Sequence, residues 1–206
     1  GYIKVNGVVI TELGYKLNPV IDKVEILPEL AEEKQQFRYL VLNKPKGYVC
    51  SKSRADGKPI FELLPKIKEL TYAGRLDKDS HGLVILSNDG KFVYKVFGAE
   101  FAKEKEYIVR VNRPLTKEYL ETQANGSIIL DEKRLKPAQV RQIGSHVYKI
   151  ILNEGVNRQL RRMAEFCDYK VTDLKRIRID KVSDAGLEVG AWRDLSASEI
   201  KHIMSR

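Results

Sequence analysis

The segment Lys105–Val111 alternates without a break: Tyr107, Val109 and Val111 point one way, Ile108 and Arg110 the other. A two-residue period is the signature of a strand with one buried face. Around it lie short apolar runs at 39–42 and 82–86, and further strand-like stretches near 140, at 147–152 and at 170–179. Helices are expected between and after them, at 92–97, 116–123, 157–166 and 196–204. Strands and helices interleave, yet hairpin-length connections dominate. This predicts an α+β fold, a mixed and mainly antiparallel sheet with flanking helices, in place of a doubly wound parallel sheet.

Residues 1–27 read as a smaller piece. Ile3, Val5 and Val8-Val9-Ile10 flank Asn6-Gly7, a pair suited to a two-residue hairpin turn because both positions need positive φ. Val24 and Ile26 alternate with Lys23 and Glu25 in a third short strand. Strands this short bury little, so the segment is part of a larger module or a flexible attachment. The polar run PELAEEKQQ at 28–36 reads as a linker. At the other end, Ser196 with Glu199 predicts a capping box, and Leu195 with Ile200 a hydrophobic staple.

Charge narrows the partners. The 206 residues include 37 Lys or Arg against 28 Asp or Glu, a net charge of +9 that points to a polyanion. Apolar runs stop at four residues, far short of the ~20 that span a bilayer, so no membrane is expected. No basic-then-apolar leader opens the chain, and its start at Gly1 reads as a processed product or a fragment. Cys50 and Cys167 are too few for a disulfide framework, and with His81, His146 and His202 they offer no zinc spacing. A reduced, cytoplasmic protein without a structural metal is expected.

Two stretches carry candidate chemistry. Residues 73–82, AGRLDKDSHG, set two carboxylates, two cations and a histidine between glycines, just before an apolar strand. Such a stretch is either a charged surface turn or a reactive loop entering a rigid element. A calcium loop fails, because His81 replaces the fifth-position ligand and Asn88 the bidentate Glu. The second stretch is EGVNRQLRRM at 154–163, with Asn157 as the expected N-cap. Val156, Leu160, Met163, Ala164 and Cys167 recur at helical spacing and mark a buried face, leaving Arg158, Arg161, Arg162 and Glu165 on other faces. An arginine cluster near a helix start either holds phosphates or fixes a carboxylate. Lys44, Lys46, Lys52 and Arg54, around Pro45 and Gly47, form a basic turn. By period alone Tyr107 is a core residue, and at a strand's mouth it is a base-stacking one.

Taken in order, GRLDKDSHGL (74–83), KEYIV (105–109) and EGVNRQLRRM (154–163) resemble the RsuA/RluB/RluE/RluF family of ribosomal RNA pseudouridine synthases in sequence and spacing. NKPKGYVCS (43–51) is similar to that family's opening strand and turn, and GAWRDLSASEI (190–200) to its closing helix. Residues 1–27 resemble the last strands of an S4-type RNA-binding domain whose two initial helices are missing here. The resemblance thus implies a partial S4-like segment at 1–27, a linker at 28–37 and a pseudouridine synthase catalytic domain at 38–206.

What it implies chemically is a cofactor-free isomerisation of a specific uridine in ribosomal RNA. The N-glycosidic bond breaks, the uracil turns, and its C5 joins the ribose C1′. Asp77 is then the catalytic aspartate, acting by covalent attack or on a glycal route. Arg161 is the buried arginine that pairs with it, and a guanidinium there keeps the acid ionised and oriented. Tyr107 stacks on the target base, Arg75 fills the RNA stack when the uridine swings out, and Leu160 with Gly74 walls the pocket. Lys44, Lys46, Arg158 and Arg162 are expected RNA contacts. Asp79 is expected to stay solvated and dispensable, and His81 to be a loop residue.

The implied partner is ribosomal RNA or a ribosome-assembly intermediate, met by a monomer. The GRLDKDS stretch resembles the RluF branch acting on large-subunit (23S) RNA, with small-subunit RNA, as in RsuA, the runner-up. Rival readings are a non-catalytic RNA-binding or ribosome-assembly protein and a metal-dependent nuclease using Asp77 and Asp79.

Overall fold

The computed structural model describes residues 3–12, 15–26, 36–67 and 69–205, so most of the expected linker lies outside the described residues. The chain divides into two compact units, 1–37 and 38–206.

In the first unit, strands β1 (Ile3–Val5), β2 (Val8–Ile10) and β3 (Val24–Ile26) form an antiparallel sheet in the order β2-β1-β3. Asn6 and Gly7 both take positive φ, 50° and 81°, as the hairpin turn requires. The Asn6 side chain then ties the third strand in, donating to Asp22 Oδ1 and accepting from the Lys23 amide, each at 2.9 Å. Among the described side chains of these strands only Val5 is buried, in keeping with the little core that such strands can build.

The second unit is built on one large sheet. Its strands are β4 (Tyr39–Lys44), β7 (Thr71–Ala73), β8 (His81–Ser87), β9 (Lys105–Val111), β12 (Gln139–Gly144), β13 (Val147–Leu152), β14 (Val171–Ile179), β15 (Val182–Ser183) and β16 (Trp192–Asp194). Two small ribbons lie outside it, β5 (Tyr48–Val49) with β6 (Lys58–Pro59), and β10 (Ile129–Leu130) with β11 (Lys133–Arg134). The main order is β12-β13-β9-β14-β8-β4-β16, with β7 on β8 and β15 on β14. Every neighbouring pair in this sheet is antiparallel except β8 and β14. The expected mixed, mainly antiparallel α+β sheet is what forms.

Among the described residues the α-helices are α1 (Gly90–Phe97), α2 (Lys117–Ala124), α3 (Gln159–Phe166) and α4 (Ala197–Met204). Among the described residues none is long and apolar enough to cross a membrane. Helix α4 starts with the predicted capping box, and Leu195 and Ile200 share one core cluster. Asp89 caps α1 through the Lys91 and Phe92 amides, so that helix begins earlier than its apolar pattern shows. The expected cap at Asn157 does not form. Arg158 precedes α3 instead, in the left-handed region (φ 50°) with no side-chain cap.

The apolar run 83–86 is explained by cover on both faces. Leu83 and Ile85 pack with Val41, Phe92 and Ile203 under α1 and α4, while Val84 and Leu86 pack with Leu40, Leu42, Ile60 and Leu76 on the other side. Strands covered twice read as continuous apolar segments, unlike half-buried β9. A third cluster joins Val109, Val111 and Tyr148 to Tyr119 of α2 and to Leu160, Met163 and Ala164 of α3. The predicted apolar stripe of α3 is therefore its core face. His81, expected in a loop, opens β8, with its Nε2 3.1 Å from Asp173 Oδ1.

Candidate active site

The loop 74–80, between β7 and β8, is fixed from four sides. Gly74 sits at φ +82°, a conformation that favours glycine. Leu76 is buried in the cluster beneath the loop. Gly47 donates its amide to the Lys78 carbonyl at 2.8 Å, tying in the basic turn. Lys44 is fully buried, and its Nζ donates to the carbonyl oxygens of Ser80 (2.7 Å) and Pro45 (3.1 Å). Burial pushes the Lys44 ammonium down to about 8. Lys44 is thus an internal strut of the loop and cannot be the RNA contact expected from sequence.

The start of helix α3 and the residue before it bring two arginines to this loop. Arg158 Nη1 lies 3.4 Å from Asp77 Oδ2 and 3.7 Å from Asp79 Oδ1. Arg161, with a side chain only 9% exposed, reaches Asp79 Oδ2 at 3.0 Å and places Nε 4.0 Å from Asp77 Oδ2. The same guanidinium donates to Ser80 Oγ (3.1 Å), Val171 O (3.3 Å) and Asp79 O (3.4 Å). Two carboxylates and two guanidinium groups therefore interlock. Asp79, expected to be solvated, is half-exposed but is the closer ion-pair partner of Arg161. Both acids face cations, and among the described residues no group of three His, Cys, Asp or Glu is placed to hold a metal.

A cavity of about 430 Å³ opens beside this cluster. Its wall includes Gly74, Arg75, Asp77, Tyr107, Arg158, Leu160 and Arg161, drawn from all three sequence motifs. Arg75 is exposed at its wall, whereas Tyr107 is half-buried between two core clusters. Lys46 and Arg162 are not among the lining residues. Lys46 pairs with Asp173, and Arg162 makes a two-pronged pair with Asp131, 2.7 Å on each arm.

Sequence reasoning missed Ser80, Lys105 and Arg176 in the same wall. The signal was the strand period. Lys105 shares a face with Tyr107 two residues on, and Arg176 stands directly opposite Tyr107 in the β9–β14 register. Gly82 lies opposite Arg176 in the parallel pair, where a Cβ would sit 2.7 Å from the Arg176 nitrogen and closer still to its carbonyl oxygen. Only glycine lets β8 and β14 come together here, which sets the loop over the cavity.

Comparison with known proteins follows the same lines. The RNA pseudouridylate synthase family model matches residues 38–166. The dual-specificity RNA pseudouridine synthase RluF of Salmonella typhi is 38% identical over 181 residues, covering 87% of this chain and 62% of its own length. The chain thus spans under two thirds of the RluF relatives. The ribosomal large subunit pseudouridine synthase B of Bacillus subtilis is 33% identical, covering 98% of this chain and 85% of its own. The ribosomal small subunit pseudouridine synthase A of Haemophilus influenzae is 32% identical, covering 98% and 88%. A crystal structure of a pseudouridylate synthase superposes with a TM-score of 0.78 at 28% identity, covering 98% of this chain and 88% of that one. By family model, by identity to relatives and by fold, this chain belongs to the RNA pseudouridylate synthases, in the group that holds RsuA, RluB and RluF.

Proposed function

We propose that this protein isomerises a uridine of ribosomal RNA to pseudouridine, with Asp77 as the group that acts at the ribose. The observation that carries the reading is the setting of Asp77. Its carboxylate, 32% exposed, opens on the cavity between Arg158 and Arg161, with Tyr107 in the same wall. The cavity falls in the ~300–1,000 Å³ range of small-molecule pockets and admits an extruded nucleoside.

In this reading Arg161 and Arg158 orient the Asp77 oxygens, Tyr107 lies against the base, and Leu160 closes the wall. Arg75 occupies the gap that the uridine leaves in the RNA. Arg158, in the cavity wall and 44% exposed, is also open to a phosphate. For Lys46 and Arg162, a phosphate has to displace Asp173 or Asp131, so their contribution to RNA affinity is the smaller one. Residues 1–27 act as a partial S4-like RNA-binding segment joined through 28–37 to the catalytic domain 38–206. Large-subunit RNA is the first expected target, since the GRLDKDS stretch resembles the RluF branch and a large subunit synthase stands among the relatives, with small-subunit RNA the runner-up. The chain works as a cytoplasmic monomer.

Nucleotide-resolution mapping of pseudouridine in RNA from cells with and without the protein tests the proposal. A site in ribosomal RNA that disappears with the protein supports it. Unchanged maps, together with salt-sensitive RNA binding and no product in vitro, would establish the non-catalytic alternative.

A further inference from the structure

Lys105 and Arg176, both in the cavity wall, have no carboxylate partner among the described residues. Arg176 is 3% exposed; its Nε donates to the Leu83 carbonyl at 2.7 Å and its Nη1 to the Arg75 carbonyl at 3.4 Å. Its Nη2 is sealed from water and has no hydrogen-bond partner among the described residues. Lys105 donates to the Lys103 carbonyl at 3.0 Å. All these acceptors are neutral. Burial, and then the like charge of Arg176, push the Lys105 ammonium down to about 8, so the two sit in one uncompensated positive field.

The contrast within the cavity is informative. Around Asp77 each guanidinium meets a carboxylate, and that side is electrostatically closed. On the β9–β14 side, where Tyr107 faces Arg176 across the register, the positive charge is open. A buried unpaired cation is costly, and the cost is relieved when an anion enters beside it. A phosphate suits this place poorly, because it would have to be stripped of water to reach Arg176. A flat base lying against Tyr107 reaches the same wall, and it becomes anionic during the reaction.

Building on the uridine-isomerase reading above, we propose that Lys105 and Arg176 stabilise the uracil anion while it is detached from the ribose. When the N1–C1′ bond breaks, its electron pair passes to the uracil and spreads over N1, O2 and O4. C1′ is meanwhile bonded by an Asp77 oxygen, or the C2′ proton passes to Asp77 and a C1′=C2′ bond forms. After the ring turns, C5 gives an electron pair to C1′. The Asp77–C1′ pair then returns to the carboxylate, or C2′ regains its proton. C5 loses a proton, N1 gains one, and the product is an isomer of the substrate. Preorganised cations at the wall lower the barrier because they meet charge that exists only after bond cleavage.

The test uses the full chain, uridine RNA and the same RNA carrying 5-fluorouridine, whose fluorine withdraws charge from the uracil anion. Single-turnover loss of the N-linked nucleoside is read by nuclease digestion and mass spectrometry. Lys105→Gln should slow uridine cleavage on the order of 10²-fold, yet slow 5-fluorouridine cleavage by less than about tenfold, with RNA affinity unchanged. Lys105→Arg, which keeps the charge, should restore most of the rate. Arg176→Gln, which removes the other charge, provides the same comparison independently should Lys105→Gln fail to fold, with Arg176→Lys as its charge-keeping rescue. Equal deficits on both substrates, or a deficit confined to RNA affinity, would overturn the assignment. Wild-type protein that leaves uridine intact would instead overturn the isomerase reading beneath it.

Discussion

Arg158 Nη1 stands 3.4 Å from Asp77 Oδ2, nearer than the Nε of the more deeply buried Arg161 at 4.0 Å. The two arginines therefore have separable tasks. Arg158 is 44% exposed, and its pair with Asp77 is screened by solvent. Arg158→Ala should change stability by less than about 0.5 kcal/mol while slowing single-turnover product formation. Arg161 also bonds Ser80 Oγ and the main chain of Val171 and Asp79, so Arg161→Met should cost about 2–3 kcal/mol as well as activity. Denaturant unfolding beside the rate assay separates them; equal stability losses would show that the pair acts as one unit.

Gly82→Ala places a methyl group into the Arg176 main chain at φ +106°. Neither strand yields without loss of the parallel pairing, so the expected cost exceeds ~3 kcal/mol. Gly90→Ala, at the start of α1 with nothing within 4 Å of the new methyl, should be neutral or slightly stabilising. Thermal unfolding of the two variants checks the contrast, and a harmless Gly82→Ala would mean that β8 and β14 are not so closely joined.

Lys44 links stability to pH. Burial holds its folded-state pKa near 8, against 10.5 for the free group. Between those values the unfolded chain binds a proton that the folded chain lacks, so this residue's contribution rises with pH by about 1.4 kcal/mol per unit. Relative to Lys44→Met, the wild type should gain stability from pH 8 to pH 10. Parallel stability curves for the two proteins would contradict the burial of a titrating ammonium.

Affinity for ribosomal RNA should fall steeply with salt, and Arg75→Ala should reduce the salt slope by about 1. Arg162→Ala should change the slope less, because its charge is already matched by Asp131. Filter binding across a salt series reads both, and a larger effect from Arg162 would place the RNA path over α3 instead.

How far the sequence could be read follows from what each signal measures. Period and turn chemistry report local geometry, and they located β9, the Asn6-Gly7 hairpin and the α4 cap. Motif order brought Asp77, Tyr107 and Arg161 to one cavity although 84 positions separate the first from the last (161 − 77 = 84). Lys44 was misread because a lysine beside Pro45 resembles a surface turn, and only the cover on both faces of β4 shows it to be internal. Asp79 is exposed as expected, but its ion pair with Arg161 was not legible because that partner comes from a distant helix. The role of Gly82 was invisible for the same reason, since the strand it presses against begins 89 positions later (171 − 82 = 89).

The chemistry assigned to Asp77 is tested most directly by single-turnover pseudouridine formation on ribosomal RNA with wild type and Asp77→Asn. The substitution keeps shape and removes charge. The wild type should convert its target uridine, and Asp77→Asn, folded to the same stability within about 1 kcal/mol, should be slower by at least ~10³-fold. Product formed by Asp77→Asn at the wild-type rate would contradict the account.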